Sequence, residues 1–158
     1  MQSRKKNRSI YKPALQQYAP FFESLALRMG SQFDLTIDAL AGWRIVMLFY
    51  PKNYLANNVE IIKNFANYRE IFQKMNAQVI FCTPDTYHEL RLIGNELMEE
   101  NPKGYLDTII LMTDQFNTVG QQYGVKKEGD EDDFIEAMFI VNEYGKLKYS
   151  SLVPVDDP

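Results

Sequence analysis

"GWRIVMLFYPKNYLANNVEI", Gly42 to Ile61, is the stretch on which the fold turns. From Trp43 to Tyr50 it is almost continuously apolar, with β-branched Ile45 and Val46 inside it. Such a run is the mark of a strand buried on both faces, as in a sheet covered by helices. Pro51 ends the strand, because proline has no N–H to give a sheet ladder. An amphipathic helix follows within a turn or two. Strand-to-helix junctions of this kind often carry chemistry. Yet between Phe49 and Glu60 there is no cysteine, histidine, serine or acidic residue. The cradle is built and holds none of the usual reactive groups.

Working outward, "VEIIKNFANYREIFQKM" places Ile61, Phe65, Tyr68, Phe72 and Met75 at helical spacing, with Ile62 and Ile71 widening the stripe, opposite Lys63, Asn64, Arg69 and Lys74. It reads as one amphipathic helix. "AQVIFCT" reads as a second buried strand and "DTYHELRLIGNELMEE" as a helix, with Asp85 as its N-cap and Leu90, Ile93 and Leu97 as its stripe. "LDTIILMT" is a third apolar strand, and "DQFNTVGQQYGV" a short helix closed by Gly124. "EGDEDD" reads as an acidic loop, and "FIEAMFIVNEYGKLKYSSL" as a hairpin turning at Glu143, Tyr144 and Gly145. Before the central strand, "QYAPFFESLAL" reads as an extended entry segment, and "FDLTIDALAGW" as a strand with a turn near Gly42. The expectation is one α/β domain over residues 13–158, a mixed central sheet flanked by helices, preceded by a basic arm over residues 1–12.

The bulk numbers bound the function. A chain of 158 residues, 46% hydrophobic and 13% aromatic, is of globular composition. A net charge of −4 argues against a protein whose whole surface binds nucleic acid. Cys82 is the one cysteine in the sequence, which excludes an intrachain disulfide and a thiolate zinc site built from one chain. No apolar run is long enough to span a bilayer, and the basic first residues lack the apolar core of a secretory signal. The expected setting is intracellular, cytoplasmic or nuclear, with no cofactor, no metal and no membrane.

The order of elements and four of its phrases resemble the peroxiredoxin family, the alkyl hydroperoxide reductase/thiol-specific antioxidant branch of the thioredoxin-like fold. The phrases are "APFF", "GWRIVMLFYP", "LMTDQFNTVGQQYGV" and "AMFIVNEYGKL", in the family's order, and the match runs from about Ala19 to Val155. The resemblance implies a peroxide-reducing site made of a proline, a threonine four residues on, a cysteine three beyond that, and an arginine from the strand before the last hairpin. The cysteine attacks the peroxide as a thiolate. The helix N-terminus and the arginine stabilise negative charge. Pro51 matches the proline. Leu55 stands at the threonine position, Asn58 at the cysteine position and Glu136 at the arginine position. An amide cannot ionise to a nucleophile near neutral pH, leucine cannot donate a hydrogen bond, and glutamate repels the anion that arginine attracts.

The expectation is therefore a catalytically inactive peroxiredoxin-like protein that acts as a protein-interaction or assembly module. Its candidate interface is Tyr54, Leu55, Asn57, Asn58 and Glu136, and it has a protein partner or a second copy of itself. The family's habit of dimerising around its active site or along an edge strand implies the same faces here. One alternative is a divergent thiol oxidoreductase using Cys82, which otherwise reads as a small buried core residue. A Cys82–His88 pair is a further candidate for a nucleophile; otherwise His88 is a solvated or capping residue. Glu128, Asp130, Glu131, Asp132 and Asp133 read as a solvated loop, a weak cation site or a surface for a basic partner. The arm with Arg4, Lys5, Lys6, Arg8 and Lys12 reads as a solvated tail, an import signal or a nucleic-acid contact. Of the aromatics, Tyr11, Tyr18, Phe21, Phe22, Tyr50, Tyr54, Tyr105 and Tyr149 are the ones whose pattern does not place them in the core.

Overall fold

The structure, a computed structural model, describes residues 13–101 and 109–153. The basic arm, with Arg4, Lys5, Lys6 and Arg8, and the aromatics Tyr11 and Tyr105 lie outside the described residues. In chain order the elements are β1 (Glu23–Arg28), β2 (Ser31–Thr36), a 3-10 turn (Ile37–Leu40), β3 (Arg44–Phe49), α1 (Tyr54–Asn57), α2 (Glu60–Ala66), α3 (Arg69–Lys74) and β4 (Ala77–Thr83). Then come α4 (Tyr87–Glu100), β5 (Ile109–Thr113), α5 (Thr118–Tyr123), β6 (Lys126–Lys127), β7 (Asp130–Phe134), β8 (Glu136–Val141) and β9 (Leu147–Val153).

Seven strands make one mixed sheet in the order β2-β1-β5-β4-β3-β8-β9. β3, β4 and β5 run parallel, and β1 and β8 flank them antiparallel. Helices connect the parallel strands, as parallel pairing requires. The apolar run around β3 is explained by burial on both faces, and the period of two sorts its side chains. Ile45, Met47 and Phe49 enter one core, with Ile80, Cys82, Ile110, Met112 and Phe139. Leu48 enters the other, with Val79, Phe81, Ile109 and Leu111, under α1, α2 and α4. The first core is closed by a ring cluster in which Phe49 lies 5.5 Å from Tyr123, 5.7 Å from Phe134 and 5.6 Å from Phe139, by centroids. Gly120 permits this closure, because a Cβ there would lie 2.3 Å from the Phe134 ring.

Several expectations change. The single amphipathic helix is two, α2 and α3, with a break at Asn67 and Tyr68. The stripe read from the sequence is buried in part: Ile62 is in the core and Ile61, Phe65 and Phe72 pack against it, while Tyr68, Ile71 and Met75 are exposed, and Ala66, outside the stripe, is buried. The break leaves Tyr68 and Ile71 in solvent, while Phe72 of α3 still stacks on Phe65 of α2 at 6.2 Å. The N-cap of α4 is Thr86, not Asp85. The Thr86 hydroxyl accepts from the Glu89 N–H at 3.2 Å, and the Glu89 carboxylate accepts from the Thr86 N–H at 2.8 Å, a capping box. "EGDEDD" is not a loop throughout: β7 takes Asp130–Phe134 and pairs antiparallel with β6 in a small second sheet. Phe22, which its pattern does not place in the core, is buried.

Candidate functional site

The junction after β3 is held by main-chain groups and two carboxylates that come from far along the chain. The Tyr50 N–H donates to the Cys82 carbonyl at 3.1 Å, continuing the β3–β4 ladder by one residue. The Lys52 N–H donates to Asp133 Oδ1 at 2.8 Å. The Asn53 N–H donates to both oxygens of Asp85, at 3.0 and 3.2 Å, and the Thr83 hydroxyl donates to the same carboxylate at 2.8 Å. Asn53 takes the left-handed conformation (φ 64°), which asparagine tolerates better than most residues. Burial raises the Asp85 pKa above the usual carboxylate range, and the hydrogen bonds from Asn53 and Thr83 oppose the rise. Neither carboxylate's role is legible in the sequence, where Asp85 reads as a helix cap and Asp133 as part of a solvated run. The one signal in the right direction is the S/T-x-x-E spacing of Thr86 and Glu89, which frees Asp85 from capping.

From Asn53 the chain makes a single helical turn. Leu55 points down from it and is completely buried in the core with Leu48, Ile62, Phe81 and Leu90. Leu55 therefore does not belong to the surface expected of it: an aliphatic side chain on the inner face of a helix is drawn into the core. Asn58 closes the turn. Its N–H donates to the Leu55 carbonyl at 3.2 Å and its side-chain amide to the Tyr54 carbonyl at 2.8 Å. Its own carbonyl accepts from the Ile61 N–H at 3.0 Å, at the start of α2. The Asn58 amide is thus committed to the main chain, between α1 and α2. Asn57 is exposed, and Tyr54 and Pro51 are half-buried.

Glu136, at the start of β8, acts on Tyr50 and Tyr54. Those two rings stack at 4.9 Å and 7°, and Tyr50 also stacks on Phe81 at 6.1 Å. A hollow of about 280 Å³ beside them is lined by Leu48, Tyr50, Phe65, Glu136, Met138 and Ser151 among others. Burial, then the charge of Glu136 and then Tyr54, push the Tyr50 phenol up to about 12. Burial and then Glu136 raise Tyr54 as well. The structure thus brings Tyr54, Asn57, Asn58 and Glu136 to one end of β3 and β8 and withdraws Leu55. The Tyr50 shift has a measurable consequence. A free phenol ionises near pH 10, so the unfolded chain loses this proton first. The stabilisation is complete below about pH 10 and is lost as pH rises through about 12. Urea unfolding at about pH 9 and about pH 11.5 is expected to show a steeper alkaline loss for wild type than for Tyr50→Phe.

Cys82 has a different situation. It pairs with Phe49 across β3–β4 and shares the Phe49 face of the sheet, opposite the face that α1 and α2 cover. Its side chain is completely buried, and burial, followed by the charge of Asp114, pushes its thiol well above the ordinary value. His88 is exposed on α4, so the structure does not bring the two together. Asp114 is itself buried. It caps α5 by accepting from the Val119 N–H at 3.0 Å and the Gly120 N–H at 2.7 Å. Its pKa is raised by burial against those bonds. Within the acidic run, Asp132 accepts from the Asn117 amide at 3.2 Å. Among the described residues no group of three or more His, Cys, Asp or Glu side chains is placed to hold a metal ion. Nor is any helix among them long and apolar enough to cross a membrane.

A mixed sheet with β3 and β4 parallel at its centre, a β8–β9 hairpin on one side and helices on both faces defines a thioredoxin-like fold. The backbone is similar to that of the mitochondrial 2-Cys peroxiredoxin of Plasmodium falciparum, with TM-score 0.75 and 17% identity over 92% of this chain and 87% of that one. In sequence the chain is 30% identical over 131 residues to a peroxiredoxin of Cynops pyrrhogaster, covering 82% of this chain and 64% of the relative. It is 26% identical over 144 residues to the human mitochondrial thioredoxin-dependent peroxide reductase, covering 91% and 56% respectively. Over most of its length the chain is similar to peroxiredoxins in sequence and in fold. No family model matches it, and it spans just over half the length of the mitochondrial relatives it resembles.

Proposed function

We propose that this chain is a peroxiredoxin-fold module that does not reduce peroxides and that acts by docking protein, a second copy of itself being the first partner to test. One observation carries the proposal: the one cysteine of the 158 residues is buried on the face of the sheet opposite α1. At position 58, where the family pattern puts its reactive thiol, an amide is bonded to the Tyr54 carbonyl. A nucleophilic thiol needs access to its substrate and a low pKa; Cys82 has neither. The docking surface is the end of β3 and β8, formed by Tyr54, Asn57, Asn58 and Glu136, with the Tyr50 and Met138 hollow beside it. Half-buried aromatic side chains next to a shallow apolar hollow suit the centre of a protein interface.

The docking arm of this proposal is tested by sedimentation of the full chain and by pull-down from its native source. Tyr54→Asp puts a charge beside Glu136 and is expected to weaken self-association or partner capture at least tenfold, while Asn95→Asp, at an exposed position of α4, leaves it unchanged. Equal association in both variants removes this face from the proposal. The second reading, a thiol peroxidase that uses Cys82, is favoured by the names of the relatives. It requires the sheet to open around Cys82 in every turnover.

A further inference from the structure

At the opposite end of β3 from Tyr54, roughly 20 Å away at about 3.3 Å per strand residue, four aromatic side chains from three separate segments meet around a cavity. Tyr18 and Phe21 come from the segment before β1, Trp43 from the start of β3, and Tyr144 from the turn between β8 and β9. Tyr18 and Tyr144 are 73% and 76% exposed, and Phe21 is more than half exposed. Large aromatic rings gathered on one concave surface, with so much of their area in water, are unusual unless something covers them. Asp38, in the 3-10 turn, and Glu143, beside Tyr144, line the same cavity. Its volume, about 340 Å³, has room for one long side chain rather than a large cofactor.

The chemistry favours one class of guest. Ring faces attract cations through their quadrupole, and the Asp38 carboxylate at the mouth adds charge complementarity. The groove already uses this interaction: Lys146 Nζ sits 5.5 Å from the centroid of Tyr18. At the rim Glu143 is already paired with Arg44 at 3.2 Å through Oε2, which leaves Asp38 as the carboxylate for a guest. Lysine and arginine also carry apolar stems that pack on aromatic walls. We infer that the groove between Tyr18, Phe21, Trp43 and Tyr144 binds a lysine or arginine side chain presented by a basic segment of a partner protein, with Asp38 as its counter-charge. This site is separate from the Tyr54 surface and stands or falls independently of it.

Trp43 is the one tryptophan of the sequence, so its emission reports on this groove alone. The full chain is titrated with an acetylated Gly-Arg-Lys-Arg-Gly amide, and with the same peptide carrying glutamine at its three basic positions. The expected result is a saturable Trp43 response to the cationic peptide alone. Its affinity should fall at least tenfold in Tyr144→Ala and in Asp38→Asn, and fall again as salt rises from about 50 to about 300 mM. Both variants alter groups outside the core, and unchanged unfolding midpoints confirm their fold. No saturable response, an equal response to the glutamine peptide, or unchanged affinity in both variants overturns the assignment. So does a tenfold gain in affinity on changing Arg4, Lys5, Lys6 and Arg8 to glutamine, which gives the groove to this chain's own first residues instead.

Discussion

Leu55→Arg is expected to unfold the chain at ambient temperature, although position 55 falls in the stretch whose neighbours form the candidate docking face. The side chain is completely buried among Leu48, Ile62, Phe81 and Leu90, on a helix of only one turn. An arginine there loses the leucine's burial, about 2 kcal/mol. It also brings an unpaired charge into an apolar core, at a cost of several kcal/mol. Together these approach the whole stability of an ordinary domain, about 5–15 kcal/mol. Asn57→Arg, two residues on and exposed, is expected to change stability by no more than about 0.5 kcal/mol. Urea unfolding followed by circular dichroism compares them. A cooperative transition of wild-type midpoint in Leu55→Arg contradicts the burial described here. At the position where the family pattern has a threonine, this chain has a core residue facing inward.

Phe49→Ala is the second large effect. Phe49 ends β3, and its ring touches those of Tyr123, Phe134 and Phe139, which come from α5, β7 and β8. Removing it leaves a cavity at the point where the second, small sheet is fastened to the main one. The expected loss is about 3–5 kcal/mol, which for a domain of this size lowers the thermal midpoint by roughly 10 °C or more. The Lys52 N–H to Asp133 bond depends on the same fastening, because Asp133 precedes Phe134 on β7. Amide exchange at Lys52 is therefore expected to quicken in the variant. A midpoint shift of under about 2 °C contradicts the packing.

These two residues also show how far the fold is legible in the sequence. The identity of β3 is plain, because an unbroken apolar run of this length, ended by proline, fits a strand covered on both faces and little else. The assignment of individual side chains to one face or the other is not plain, because a strand buried on both sides shows no polar alternation. That is why Cys82 stands open as a candidate thiol until the fold is known: the pairing of Phe49 with Cys82 shows which core receives it. Leu55 is misplaced for a related reason. A single helical turn is too short for hydrophobic periodicity to show which side faces inward. The roles of Asp85 and Asp133 escape the sequence because they bond to main-chain N–H groups 32 and 81 residues away, and nothing local marks such bonds. The helix break at Asn67 likewise leaves no proline or glycine as a signal.

Whether this chain has given up peroxide chemistry is decided by following hydroperoxide consumption in the presence of excess dithiol, with wild type and Cys82→Ser side by side. Both are expected to proceed at the rate of the reagents alone, since the buried thiol has no path to the peroxide. Thiol-dependent turnover by the wild type that disappears in Cys82→Ser overturns the proposal.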